Sequence, residues 1–442
     1  MPMKKRNTHI LWFAASLFLI LPPIARVVFN IARGGLFMND FGAYCEVSLL
    51  LFRGHNPFPS HPGLLIGINR TNIHIVYPGQ MLLFAPFGFL WSNALQAAWL
   101  VLNIFLIFYL TGLTLVKACG YKWRDLWMPG RQQFFFMLCC ACFLSSFNAL
   151  NTVRLGQIPV VLAFCLYWMF WGPASKVLRT ILFAAIAAMK YSVLPVFAPL
   201  LFFKGYWKLC ISAFALFIFL SISPVFCGNS LKEIYTGYFD AFGVLFEPGG
   251  VNHYDTNGST MCHFGFFKLP ILNHFMTAIA VFFILWLFWR ERKTKTFSDT
   301  MLLLALSLTM LISYHQFHDL SLIFPLFFIR LFAFAKERNW IRFGITAFFP
   351  LFLIVPGGIL YRFFSVIGGV FGGILGLDSI MYFPSAFGIP HIFPFMAVYT
   401  IALASWSLHL YLHVEAPYRF EIPESPCADK SGEKEQSPAA SV

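Results

Sequence analysis

Asp40 stands in "NDFGAYCEVSLLLFRGHNPF", residues 39–58, directly after the first long apolar run of the chain. A carboxylate where a chain leaves a membrane can take a proton from a bound hydroxyl. Further along, "YHQFHDLSL" carries His315, His318 and Asp319 at the outer end of another apolar run. "RLGQ" sets Arg154 three residues before Gln157, and "MKYS" places Lys190 between two short apolar segments. Cations at membrane depth are costly and are functional candidates by default. What a cation holds best is a carboxylate or a phosphate. The residue types therefore suit proton transfer at a water boundary, next to a held anion.

Each of these residues also has a plainer reading. Asp40 can cap the helix that follows it, although Asn39 can do the same, and the two roles do not exclude each other. Tyr44 lies one helical turn after Asp40 on the same face. His318 can be a satisfied core histidine; His315, three residues earlier, shares its face and is the weaker candidate. Neighbouring helical residues do not face one another, so Asp319 need not orient His318, and Asp40 is an alternative partner through space. Arg154 and Lys190 can snorkel to headgroups, and Gln157 can cap a helix. The stretch "LFEPGGVNHYDTNGSTMCHFGFF" (245–267) gathers His253, Asp255, Asn257 and Ser259. It reads as a substrate-facing flap around Asn257 or as a solvated polar loop. His253, Asp255 and His263 lack a tight ligand spacing, so no metal is assigned, and no cofactor is called for.

The elements that position these residues are membrane elements. Of 442 residues, 59% are hydrophobic and 11% charged, whereas a soluble domain is about 25% charged. Apolar stretches of spanning length recur at roughly 9–32, 93–116, 133–150, 157–172, 177–189, 192–203, 207–227, 269–289, 299–313, 319–335, 341–361 and 391–413. This is an all-α polytopic membrane protein with about twelve spans. The run at 9–32 is too long for a cleaved signal peptide and lacks a small-residue cleavage site. Residues 177–203 read as two short runs in an in–out–in hairpin or re-entrant pair with "MKYS" at the apex. The net charge of +13 does not indicate nucleic acid, because most of the 31 Lys and Arg fall in alternate short connections. That bias places both termini in the cytoplasm, and the long connections 33–92, 228–268 and 362–390 outside. After Asp40 a short apolar helix ends at Gly54 and Pro57; it fits a helix lying in the outer interface. "YPGQMLLFAPFGFL" (77–90) repeats the pattern. Residues 1–413 form one transmembrane domain, and the polar stretch 414–442 a disordered cytoplasmic tail. Of the ten Cys, Cys139, Cys140, Cys142, Cys165 and Cys210 sit inside apolar runs; only Cys45, Cys227 and Cys262 can reach an outer loop, where one disulfide is open but nothing supports it.

Taken in order, "NDFGAYCEVSLLLFRGHNPF", "YPGQMLLFAPFGFL", "RLGQIPVVLAFCLYW", "AAIAAMKYSVLPVFAPLLFFKGYWK" and "HDLSLIFPL" resemble glycosyltransferase family 87. These are polyprenol-phosphate-mannose-dependent mannosyltransferases of the GT-C fold. The resemblance runs from about residue 9 to about 335, with Tyr77-Pro78-Gly79 where the family usually has Tyr-Pro-Pro. It implies a GT-C-like bundle of the inner cell membrane with its active site on the outer face. There a hexosyl, most simply mannosyl, group would pass from a polyprenyl-phosphate sugar to a lipid or glycan acceptor. Asp40 would be the base, with His318 the second candidate. Arg154, Gln157, Lys190, Tyr44, Asp319 and Asn257 would contact substrate.

Two other classes compete. A secondary transporter would use Asp40, Lys190 and His318 as proton or substrate sites, but such charges sit near the midplane on broken helices. A surface-glycan ligase or polymerase would carry an Arg-rich outer loop, which this chain does not show.

Overall fold

The computed structural model describes residues 3–32, 38–58, 76–244, 270–313, 315, 317–354, 383–384, 390–391 and 395–422. Each of the twelve expected apolar stretches contains a helix. They begin with α1 (Met3–Ala32), followed by two short helices, α2 (Asn39–Phe52) and α3 (Met81–Phe89), and by α4 (Asn93–Ala118). After α5 (Trp123–Trp127) come α6 (Arg131–Ser145), α7 (Phe147–Leu155), α8 (Pro159–Trp171), α9 (Lys176–Met189), α10 (Leu194–Phe203) and α11 (Trp207–Ile222). The chain continues through α12 (Leu231–Val244), α13 (Pro270–Glu291), α14 (Asp299–Ile312), α15 (Phe324–Lys336), α16 (Trp340–Ile354) and α17 (Phe395–His413). Among the described residues, strand is confined to two antiparallel two-residue pairs, one of them Phe297–Ser298 with Arg419–Phe420.

Among the described residues, four helical stretches are long and apolar enough to cross a membrane: Thr8–Phe29, Asn93–Ala118, Trp207–Cys227 and His274–Glu291. Two bent pairs raise the number to six if each pair is one span. Leu11, Phe18, Phe105, Phe214 and Phe282 point outward from these stretches, each more than half exposed. Large outward apolar side chains on that scale mark a lipid-facing surface. The bends fall where the sequence breaks the helical ladder. α6 and α7 meet at 69° around Ser146, whose extended backbone lets its hydroxyl cap α7 at Ala149 N–H. α9 and the following segment meet at 107° around Lys190, so the expected hairpin is a sharp elbow whose second arm resumes at Leu194-Pro195.

α2 departs from expectation. A helix lying in an interface keeps one face free, yet Asn39 through Leu51 are all buried. Asp40 and Glu46 are its only charges, so apolar side chains surround the axis, and a helix apolar all round belongs inside protein. α3 packs against it through Gly88, where an added Cβ would stand 2.7 Å from the Cys45 carbonyl oxygen. Two residues past the end of α2, Gly54 has a left-handed φ of +76°, and an added Cβ there would meet the Cys227 carbonyl oxygen at 2.6 Å. Cys45 and Cys227 carry free thiols; Cys262 lies outside the described residues.

At the opposite end of the bundle, Lys204 is buried and reaches Glu291 at 2.6 Å and the Thr296 carbonyl at 2.6 Å. Asp299 and Arg330, both fully buried, pair at 2.5 Å. The first residues of the expected tail belong to this end. Arg419–Phe420 pairs with Phe297–Ser298, and Ile422 is buried with its N–H donating to Tyr206 Oη at 3.0 Å. Three aromatic rings, Phe297, Tyr418 and Phe420, stack there, which is why order continues past residue 413.

Candidate active site

α2 starts one residue before Asp40, so Asp40 lies inside the first turn and does not cap the helix. Met38 occupies the cap position with a left-handed φ of 54° and no side-chain cap bond. Asp40 is 3% exposed, and its Oδ2 accepts a hydrogen bond from Gln157 Nε2. The two residues come together because the turn after α7 is built onto the start of α2. The Met38 N–H donates to the Arg154 carbonyl at 2.9 Å, and Trp99 Nε1 donates to the Gly156 carbonyl at 3.2 Å. Phe41 stacks on Trp99 with centroids 4.1 Å apart. Gly156 closes α7 at a φ of +71°, and a Cβ there would meet Phe41 Cβ at 2.6 Å and Met38 Sδ at 2.8 Å. Only glycine satisfies both conditions. Gly156→Ala is therefore expected to cost about 1–3 kcal/mol of stability. It should also loosen the Gln157–Asp40 contact, and thermal denaturation together with a turnover assay would show both losses.

A second polar cluster forms around Asp319. Lys190 Nζ donates to Asp319 Oδ2 at 2.6 Å, and the His315 Nδ1 lies 3.1 Å from the same oxygen. Asp319 and His315 are fully buried and Lys190 nearly so. Burial holds the His315 imidazole below its ordinary pKa; Asp319 pulls it up and Lys190 pushes it further down. His315 completes a cation–carboxylate–imidazole row in which burial disfavours a charge on the imidazole. Asp319 and His318 share the 3-10 helix Phe317–Leu322. Asp319 is oriented by Lys190 and by His315, four residues before it; the side chain of His318 lies outside the described residues. Asn257, with the whole 245–267 stretch, also lies outside them.

α7 joins the two clusters. Near its start Asn148 Nδ2 donates to Ser321 Oγ at 3.2 Å, two residues from Asp319. At its end stand Arg154 and the turn to Gln157. Six residues of helix separate Asn148 from Arg154, roughly 9 Å along the axis. On the far side, the Gln80 side-chain amide donates to the Met189 carbonyl at 3.1 Å, next to Lys190. Ser48 of α2 donates to the Gln80 carbonyl at 3.4 Å. Arg154 is only partly buried, and its Nε has no hydrogen-bond partner. Tyr44 is buried against Phe84, centroids 5.3 Å apart. Glu46, the other acid of α2, is pushed up to about 7 by burial.

Sequence reasoning passed over a tyrosine group beside Lys190. The Tyr77 ring contacts Tyr191, Tyr235 and Tyr238 at centroid distances of 5.4, 6.0 and 5.8 Å. Its hydroxyl bonds Ser221 Oγ at 3.0 Å, and Tyr191 and Tyr238 hydroxyls meet at 3.3 Å. The tyrosines come from three separate stretches, and nothing local in the sequence marks them as neighbours. Together, the groups form a buried acid with a fixed partner, a cation–carboxylate–imidazole row and a hydroxyl-bearing aromatic wall.

A family model for glycosyltransferase family 87 matches residues 77–313. The chain belongs to glycosyltransferase family 87. The match opens on Tyr77 and includes Gln80, Arg154, Gln157 and Lys190, so much of the site falls inside the family 87 region. Asp40 and the 315–319 segment fall on either side of it. No curated protein and no solved structure matches the chain. Membership makes this a glycosyltransferase, with a sugar donor and an acceptor, and removes the ground from the transporter reading.

Proposed function

We propose that this glycosyltransferase moves a hexosyl group, most simply mannosyl, from a polyprenyl-phosphate sugar to a lipid or glycan acceptor. The reaction takes place at the outer face of the inner cell membrane, in a GT-C-like bundle of about twelve spans with both termini cytoplasmic. The observation that carries the reading is Asp40: a buried carboxylate, aimed by Gln157, on the same assembly as Arg154 and Lys190. A hydroxyl is a poor nucleophile until its proton has somewhere to go. In the proposed step the acceptor oxygen attacks the anomeric carbon and its proton passes to Asp40. The bond from that carbon to the phosphate oxygen breaks, and its electron pair leaves with the polyprenyl phosphate; the anomeric centre inverts. Charge accumulates on the departing phosphate, and Arg154 and Lys190 are the cations that meet it. Asp319 holds Lys190 in place before substrate arrives, and His315 or His318 relays protons nearby. Tyr44 and Asn257 are assigned as sugar contacts, Asn257 on the sequence alone.

Arg154 has a free guanidinium Nε at the site, which suits the phosphate role. The test uses purified protein in liposomes with polyprenyl-phosphate mannose and membrane extract as acceptor. Mass spectrometry of the lipid and glycan fractions should show a hexose added, with polyprenyl phosphate released in equal amount. Absence of any hexosylated product, with the donor sugar hydrolysed or intact, would sink the proposal.

A further inference from the structure

Lys190 is held by more than its side chain. Asp319 fixes the ammonium, while the backbone stands at the 107° bend after α9, where a helix leaves its last carbonyls without partners of its own. Gln80 supplies a donor there: its Nε2 donates to the Met189 carbonyl at 3.1 Å, across 109 residues of sequence. A carbonyl can only accept, so this contact also settles which end of the amide faces the bend.

Gln80 closes the 3-10 turn Pro78–Gln80, which packs against α2, α9, α11 and α12. Pro78 presets the backbone at the start of the turn, and the Gln80 N–H donates to the Tyr77 carbonyl at 2.9 Å. At Gly79 an added Cβ would stand 2.6 Å from the Tyr77 ring and 3.4 Å from Ser221 Oγ of α11, so the turn is tightly wedged. The Gln80 carbonyl accepts from Ser48 Oγ of α2 at 3.4 Å. Eight residues, about 12 Å of helix, separate Ser48 from Asp40. One residue therefore links the helix that bears the proposed base to the bend that bears the proposed phosphate cation. Stability alone does not account for its amide. Gln80 is 2% exposed, and its Oε1 is buried without a hydrogen-bond partner. An unpaired buried acceptor costs at least as much as one neutral hydrogen bond contributes, so the gain from the Met189 bond is offset. What the amide does supply is geometry, because it fixes where the bend lies.

We propose that Gln80 is a positioning residue for sugar transfer that acts through Lys190. It locks the bend after α9 to α2 and so sets the separation between the Asp40 carboxylate and the Lys190 ammonium. The inference rests on the roles proposed above for those two residues. Transfer needs the acceptor proton to leave while the phosphate departs, and a misplacement of about 1 Å in either group costs up to roughly 100-fold in rate. Gln80 itself touches no reacting atom in this scheme.

The test is a double-mutant cycle on the full-length protein in liposomes, with polyprenyl-phosphate mannose as donor and membrane extract as acceptor. It compares wild type, Gln80→Met, Lys190→Met and the double variant. Methionine keeps the length and bulk of glutamine and removes the donor to Met189. Gln80→Met should melt close to wild type and lower kcat by roughly 10- to 100-fold, with the KM for donor little changed. In the Lys190→Met background the same substitution should cost no further rate, because the group it positions is gone. Ser48→Ala, which removes the bond from α2 and leaves Gln80 in place, is the second probe should Gln80→Met fail to fold. It should lower kcat by about 5-fold, the worth of one neutral hydrogen bond, and again have no effect without Lys190. An equal loss with and without Lys190 would make Gln80 a packing residue and overturn the proposal, as would wild-type kcat in Gln80→Met. Absence of transfer by wild type would sink the proposed function, and this inference with it.

Discussion

Asp40→Asn lowers sugar transfer by about 10²–10⁴-fold, the usual contribution of a general base. The variant melts at or above the wild-type temperature. The substitution keeps the shape and leaves an amide oxygen where Oδ2 stood, so Gln157 still has an acceptor. The charge is what disappears, and a charge buried to 3% exposure is a burden on folding. Loss of transfer with retained stability is therefore the signature of a base, whereas a structural acid would show the reverse. The measurement pairs a turnover assay in proteoliposomes with a melting curve on the same preparation. Wild-type transfer by Asp40→Asn would remove the residue from the base role and return it to packing.

Lys190→Met carries the next largest expected effect, because it strikes both the fold and the proposed phosphate contact. Asp319 is fully buried and Lys190 is its cation at 2.6 Å. Removing one member of such a pair leaves an uncompensated charge, at a cost of about 3 kcal/mol. His315 also lies within reach of Asp319. Without Lys190 one influence that depresses the imidazole is gone, and Asp319 still pulls its pKa upward. Burial still holds the imidazole below its ordinary pKa, but it takes a proton more readily than in wild type; once protonated at acid pH it compensates the carboxylate, and that support is lost as pH rises. The stability deficit of Lys190→Met should accordingly shrink at acid pH and grow at alkaline pH. The double variant Lys190→Met/Asp319→Asn should recover most of the stability at all pH values. Transfer should stay low in the double variant if Lys190 also meets the leaving phosphate. Recovery of transfer along with stability would confine Lys190 to a structural role.

The positions of the helices were readable because composition and breakers act locally. The expected runs at 93–116, 177–189 and 192–203 correspond closely to α4, α9 and α10, since Ser92, Lys190 and the Pro-containing starts interrupt the ladder within a few residues. The run at 133–150 concealed a break: Ser146 caps α7 and turns the chain, and a serine amid Phe and Cys is a weak signal by itself. α2 was legible as a short helix, but its burial was not inferred, although an axis surrounded by apolar side chains already pointed that way. Within 414–442 the long polar end dominates the composition and masks Tyr418 and Phe420 at its start.

The sequence by itself determined a helical membrane protein, the positions of most helices and the residue types able to move a proton or hold an anion, because hydropathy and turn chemistry are properties of neighbours along the chain. Only the tertiary structure decided the partners. Gln157 reaches Asp40 across 117 residues, and Asp319 is claimed by Lys190, 129 residues before it, and by His315. Contacts over such separations depend on how whole helices cross, and α7 and the Gly156 turn set that crossing through close packing that no local pattern encodes.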